Sequence, residues 1–228
     1  MTTRGACVVL LVCALGAVAA AERAKGWSIT PPAGWADHSP AANTQTTVDE
    51  LKTKLAAVGG KYDLGLWEAD AENRLTLLYM VVPGKEAGAK SRVRGWEDGA
   101  RNGVNETAKE ISYKRTETDQ LIVVEQVSQG GGKSFRSVRF SGIDATNALV
   151  GIQASCSGPE TVCGPALASL RLDASTFKKL KLDGAAAARE ESKDSAYQAG
   201  RFVGMILVIV LVGWFLVSLA RRRSGPAT

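Results

Sequence analysis

Leu75-Thr-Leu-Leu-Tyr-Met-Val-Val82, closed off by Pro83-Gly84, is the stretch on which the fold turns. Nearly every residue in it is apolar, so it reads as a central strand buried on both faces, and the Pro-Gly pair stops it. A strand of that kind needs neighbours. Just upstream, Tyr62-Asp-Leu-Gly-Leu-Trp67 alternates as a second strand. Downstream, Ile111–Thr116, Leu121–Val127, Ser134–Phe140 and Ala148–Ser155 have strand character. Thr-Asp-Gln, Gly-Gly-Gly and Gly-Ile-Asp-Ala-Thr-Asn turns separate them, which predicts a meander. Further out, Trp27-Ser-Ile-Thr-Pro-Pro-Ala-Gly-Trp35 is a short strand ended by two prolines and a glycine turn.

Helical segments interrupt the strands. Thr47-Val-Asp-Glu50 has the spacing of a capping box, in which hydroxyl and carboxylate satisfy free amide groups reciprocally. Val48, Leu51, Leu55 and Val58 follow at helical spacing, and Gly59-Gly60 ends the run. A second amphipathic helix is predicted over Arg92–Glu110, with Val93, Trp96, Ala100, Val104, Ala108 and Ile111 on one stripe. It carries Gly95, Gly99 and Gly103 four residues apart. Each glycine costs about 1 kcal/mol of helix propensity, so tertiary packing must supply the stability. The plain reading is a row that lets the helix approach a sheet closely. The alternative is a partner-docking groove built on Gly95, Trp96, Gly99 and Gly103. Last, Pro165-Ala-Leu-Ala-Ser-Leu-Arg-Leu172 predicts a short helix running into a final strand. The element order implies an α+β domain, an antiparallel sheet covered by helices.

The opening Trp27–Trp35 motif resembles the entry motif of the Mog1/PsbP-like superfamily, an apolar strand followed by Pro-x-Gly-Trp. The closing Ala168-Ser-Leu-Arg-Leu172 is similar to that superfamily's ending. Through element order the likeness extends over residues 26–172. The resemblance implies an α/β/α sandwich used for docking or assembly, with no shared catalytic site, so it carries no functional residues onto this chain. A C-terminal anchor and the Cys156/Cys163 pair depart from the family's pattern.

The two ends of the chain set an expected address. Residues 1–21 have one early charge (Arg4), an apolar run and Ala19-Ala20-Ala21, the three parts of a secretory signal peptide. Phe202–Ala220 is free of charge and as a helix would reach about 28 Å, enough to cross a hydrocarbon core. Arg221, Arg222 and Arg223 follow it and are expected to stay in the cytoplasm. The division is therefore signal peptide 1–21, exported domain 22–182, Ala/Glu-rich stalk 183–200, transmembrane helix 201–220 and short basic cytoplasmic tail 221–228. The stalk would span about 27 Å as a helix or about 23 Å as a coil, which keeps the domain near its bilayer. The Ala/Gly-rich composition and the signal peptide point to a bacterial inner membrane with a periplasmic domain, with a eukaryotic type I membrane protein as the alternative.

Composition narrows the partners. The chain has 28 basic and 23 acidic side chains, but the excess lies in Arg4, Arg201 and Arg221–Arg223. The exported part is neutral, which argues against a nucleic-acid partner. Cys7 and Cys13 fall in the expected signal peptide. Cys156 and Cys163 lie in the exported domain and read as a structural disulfide in an oxidising compartment. A redox-active pair would more often have Cys-x-x-Cys spacing at a helix start.

No motif supports catalysis, a metal or a cofactor. Gly130-Gly-Gly-Lys-Ser134 resembles a phosphate loop, but Val127 occupies the place of its first glycine and a strand follows, so it reads as a hairpin turn. His38 is the only histidine and sits in a polar loop, with no Gly-x-Ser-x-Gly elbow in the chain. Glu68, Asp70 and Glu72 lack EF-hand spacing and read as solvated turn charges. Asn105-Glu-Thr107 is a glycosylation sequon inside the second helix. Gly200-Arg-Phe-Val-Gly204 has small-xxx-small spacing at the outer membrane edge, a weak homodimerisation signal against the plainer reading of a lipid-facing helix. The expected function is a membrane-anchored, non-catalytic interaction module for an envelope protein. A small-ligand or lipid-binding domain is the alternative, and a thiol-disulfide enzyme is a third option.

Overall fold

The computed structural model describes residues 27–39, 53, 56, 59–85, 88–173, 175, 177–180, 197, 198, 200–202, 204 and 205. Residues 1–26 and 206–228, which hold the signal-peptide expectation, most of the apolar run and Arg221–Arg223, lie outside them. So does most of the Thr47–Gly59 segment, where Thr53 and Ala56 are helical and exposed.

The chain is α+β. In order come β1 (Trp27–Ser28), β2 (Ala36–Asp37), β3 (Lys61–Glu68), β4 (Arg74–Val82), α1 (Ala89–Thr107), β5 (Lys109–Glu117), β6 (Leu121–Gly130), β7 (Lys133–Ile143), β8 (Leu149–Ser157), α2 (Glu160–Ala168) and β9 (Arg171–Leu172). Seven strands form one sheet in the order β2-β3-β4-β8-β7-β6-β5, and every ladder is antiparallel. The meander β5 to β8 folds back so that β8 pairs with β4, from Arg74↔Ser157 to Val82↔Leu149. Leu75–Val82 is thereby an interior strand, as its composition predicts.

Alternation splits the core in two. Leu78, Met80, Leu149 and Ile143 point to the face covered by α1, with Val93, Trp96, Ala100 and Val104. Leu75, Leu77, Ile152, Ala154 and Cys156 point to the opposite face, under Cys163, Ala166 and Leu167 of α2. On that second face β1 pairs with β9 and buries Trp27 and Ile29.

The turns follow from their residues. Gly131 and Gly132, both at positive φ (58° and 79°), join β6 to β7 between the paired Gly130 and Lys133. The phosphate-loop lookalike is thus a two-residue hairpin turn. Asp70 closes the β3–β4 turn: its carboxylate accepts from the Glu72 and Asn73 amides at 2.7 and 2.9 Å and from Asn73 Nδ2 at 2.7 Å. These bonds, that from the Asn73 side chain first, hold its carboxyl below the ordinary carboxylate range.

Two helix boundaries differ from expectation. α1 starts three residues before Arg92 because Gly88, at φ 75°, turns the chain into it. It stops at Thr107 because Ala108 is extended (φ −148°, ψ 154°). Glu110 and Ile111 therefore belong to β5, and Ile111 lies off the helix stripe. α2 begins at Glu160, five residues before Pro165. Pro159 precedes it in extended conformation and Glu160 occupies the first turn, where a carboxylate suits the helix dipole.

Candidate functional site

α1 is the element with most at stake, because it is packed on two sides. On the sheet side, the Trp96 indole packs against Gly151 of β8. A Cβ at that position would stand 2.7 Å from Trp96 Cζ2, so the missing side chain sets the depth of the helix.

On its other side α1 meets the C-terminal helical segment at 197–205. A Cβ on Gly95 would run into the Tyr197 carbonyl, and one on Gly99 into that of Arg201. The relation is reciprocal: Gly200 abuts the Arg92 carbonyl and Gly204 that of Trp96, so neither helix has room for a methyl group at the crossing. Tyr197 adds a polar contact, its hydroxyl donating to Asp98 Oδ2 at 2.7 Å. Burial, and then that bond to Asp98, push the Tyr197 hydroxyl up to about 12.

The glycine row thus serves a helix–helix crossing, not the close sheet approach that its spacing first suggests. Gly151 provides the sheet approach. Gly103, the third of the row, is buried as well. Gly200 and Gly204, whose spacing suggests a homodimer contact or a lipid-facing surface, are in contact with α1.

Between α1 and the sheet runs an ionic network, buried at its Glu97–Arg139 end and exposed at Arg101. Arg139 of β7 and Glu97 of α1 are both 0% exposed. Arg139 Nη2 donates to Glu97 Oε1 at 2.7 Å and Nε reaches both carboxylate oxygens at 3.2 and 3.3 Å. Its Nη1 donates to Gln126 Oε1 at 2.8 Å, and Gln126 Nε2 passes the chain on to Glu110 Oε2 at 3.2 Å. Arg101 closes the series with paired bonds to Glu110 at 3.0 and 2.8 Å, while its guanidinium lies 3.9 Å over the Tyr113 ring. The Arg101 hydrogen bonds hold the Glu110 carboxyl below its ordinary range. Burial, with the nearby Glu97 charge, pushes the Tyr113 hydroxyl up to about 12. Each member is engaged by its neighbours, which aligns the helix on the sheet.

Toward the Arg74–Ser157 end, the same face of the sheet is lined with hydroxyls and amides. Thr76, Gln153, Ser155 and Ser157 share it. Gln153 donates to Ser155 Oγ at 3.1 Å, while its own Oε1 and the Ser157 Oγ are buried and, among the described residues, without a hydrogen-bond partner.

The remaining sequence candidates are dispersed. Cys156 of β8 and Cys163 of α2 form a disulfide that ties α2 to the sheet, and both are buried at 1% and 0% exposure. A pair so enclosed offers no attacking thiol a path, against the thiol-disulfide option. His38 is exposed beside Asp37, whose carboxylate instead accepts from the Ser39 hydroxyl at 2.5 Å. Asp37 and Ser39 therefore bond directly. Glu68 is paired with Arg74, and Glu72 with Lys133 at 3.1 Å, so the acidic trio does not converge. Among the described residues no three His, Cys, Asp or Glu side chains cluster as a metal would need. Asn105 is exposed on α1. Among the same residues no helix is long and apolar enough to cross a membrane.

Sequence reading missed the Glu97–Arg139–Gln126–Glu110–Arg101 series. The one available signal is parity: Ser137, Arg139 and Ser141 alternate against Val138 and Phe140 in β7. No protein-family model matches this chain, and no curated protein matches it.

Proposed function

We propose that this chain is a single-pass membrane protein whose exported domain, an α/β/α sandwich of the Mog1/PsbP-like kind, docks another protein of the envelope and performs no chemistry itself. The observation that carries the reading is the seating of segment 197–205 on α1. That segment leads directly into the uncharged run Phe202–Ala220 and the arginines that follow. A domain packed onto the first turns of its own anchor works at the membrane surface, within reach of proteins in the same bilayer. The closed ionic network and the enclosed disulfide support a scaffold role over catalysis.

Mild crosslinking of membranes followed by purification through a C-terminal tag tests the reading. A reproducible partner, lost when the exported domain is deleted, is the expected result. Recovery of the bare chain in every trial would refute it. Protease added to spheroplasts should remove the domain and spare the C-terminal tag, and the reverse pattern would overturn the orientation.

One observation favours a second reading, small-ligand binding. Gln153 Oε1 and Ser157 Oγ, beside Thr76 and Ser155 and unpartnered among the described residues, are the kind of buried polar atoms that a polar ligand satisfies. A thermal-shift screen of the full chain in detergent separates the readings, since a bound ligand raises the melting temperature.

A further inference from the structure

The glycine contacts carry a direction. Along α1, Gly95 and then Gly99 meet Tyr197 and then Arg201; along the other helix, Gly200 and then Gly204 meet Arg92 and then Trp96. The two helices therefore run the same way. Gly204 lies inside the uncharged run, so α1 at Trp96–Ala100 is level with the point where that run begins, and residues 101–107 continue in the direction set by Gly200 and Gly204.

What α1 leads to at that end is defined by β5, which runs back beneath it. Arg94 pairs with Glu117 at 4.0 Å, Asp98 with Arg115 at 3.5 Å and Arg101 with Glu110 at 2.8 Å. The start of β5 is thus at the anchor's leading end, and the β6–β7 turn lies beside it through Lys109↔Gln129. Here the edge strand has a bulge. Glu110 pairs with Ser128 and Ser112 with Val127, which leaves Ile111 as the extra residue. A bulge re-aims its extra side chain, and Ile111 is 55% exposed. Among the described residues the one other large exposed apolar side chain is Phe202, at 56%, the first residue of the uncharged run. Two independent features, the direction of the helix crossing and the placement of exposed apolar groups, pick the same end of the domain.

We propose that this end is a membrane-contact surface. The domain stands with the β5 bulge against the lipid, Ile111 entering the headgroup region, and with the opposite rim around Lys85 turned to solvent. The inference rests on the tether reading above and adds to it an attitude and a contact residue. Charge at this end is mixed, with Lys109 and Lys133 set against Asp70 and Glu72, so the contact is apolar and should tolerate salt.

The test uses the full chain, with Cys7 and Cys13 replaced by serine, in zwitterionic liposomes containing a nitroxide-labelled lipid. A fluorophore is attached at Ile111→Cys or, for comparison, at the exposed Lys85→Cys. Quenching about twofold stronger at position 111 than at position 85 is expected, because interfacial side chains sit several ångströms into the boundary. Gly204→Leu, which drives a side chain into Trp96 and Ala100, should bring the two positions to equal quenching. Because Gly204 lies outside the sheet and α1, unchanged far-ultraviolet circular dichroism should accompany the loss. Equal quenching in the parent protein, or stronger quenching at 85, would overturn the proposed attitude. Flotation after alkaline washing tells the two failures apart. A chain that does not float refutes the tether, and this surface with it; one that floats without the difference refutes the surface alone.

Discussion

Replacing Glu97 by leucine should be among the most damaging single substitutions in this protein. It removes the carboxylate that three donor contacts of Arg139 converge on, at 2.7 to 3.3 Å, and leaves a wholly buried guanidinium that, among the described residues, has only Gln126 Oε1 to accept from it. Breaking a buried pair in this way costs about 3–5 kcal/mol, because the surviving charge has no water to turn to. For a domain of this size each kcal/mol moves the melting temperature by roughly 2–4 °C, so a fall of about 6–20 °C is expected. Removing both partners is a different perturbation. Glu97→Leu with Arg139→Met leaves no orphan charge, and apolar replacements of buried pairs are often neutral or stabilising. The double variant should recover at least half of the loss, short of complete recovery because Gln126 Oε1 then lacks its donor, at a cost of about 1 kcal/mol. Thermal unfolding followed by tryptophan fluorescence, on the parent, both single variants and the double, gives the coupling directly. If the double variant melts as low as the sum of the singles predicts, the two charges are not a coupled pair and the account of the network fails.

Three further outcomes follow from the same geometry. Gly151→Val should lift Trp96 off the sheet and cost about 1–3 kcal/mol as an overpacked core, seen as a lower denaturation midpoint; an unchanged midpoint would show that α1 can shift freely. The Cys156–Cys163 disulfide should resist dithiothreitol until the domain unfolds, and its replacement by two alanines should cost about 2.5 kcal/mol from the short loop it closes. Rapid reduction in the folded state, followed by thiol labelling, would contradict its burial. Glu110→Gln should destabilise at neutral pH, and the difference in melting temperature from the parent should vanish in acid. The folded carboxyl lies below its ordinary value of 4.5, so its contribution is present above that value and disappears as pH falls through the lowered one. A difference that persists at pH 2 would assign the loss to packing.

Much of this architecture is legible in the sequence, and the reasons differ by element. Leu75–Val82 reads as interior because a strand buried on both faces leaves no polar register. The meander reads because Gly130–Gly132 and Asp144–Asn147 punctuate it with turn chemistry. That β8 pairs with β4 does not read, since no local pattern encodes which strand a meander returns to. β7 hides its chemistry for another reason: Ser137, Arg139 and Ser141 look like a wet face, and only the covering of that face by α1 makes Arg139 an interior charge. The glycines are the sharpest case. Both rows announce a close approach, but a helix surface without side chains fits a sheet, a second copy or another helix equally well. Spacing alone therefore does not name the partner that stands a hundred residues away. The bulge at Ile111 was hidden in the same way, because helix periodicity continued smoothly through Ala108 to include it.

The pairing of Trp27 with Leu172 and of Ser28 with Arg171 has a topological corollary. The first and last strands lie side by side in one short ladder, so they can be joined by a few added residues and the chain reopened elsewhere, at the expense of the core contacts of Phe177 and Leu180 and of the segment seated on α1. The Gly131-Gly132 turn, held together on either side by Gly130↔Lys133 and its neighbours, is the natural place to cut. Such a rearranged chain would keep the sheet, α1 and α2 while exchanging which strands are made first. It would also separate the order of synthesis from the order of assembly, leaving the closing ladder as a covalent loop.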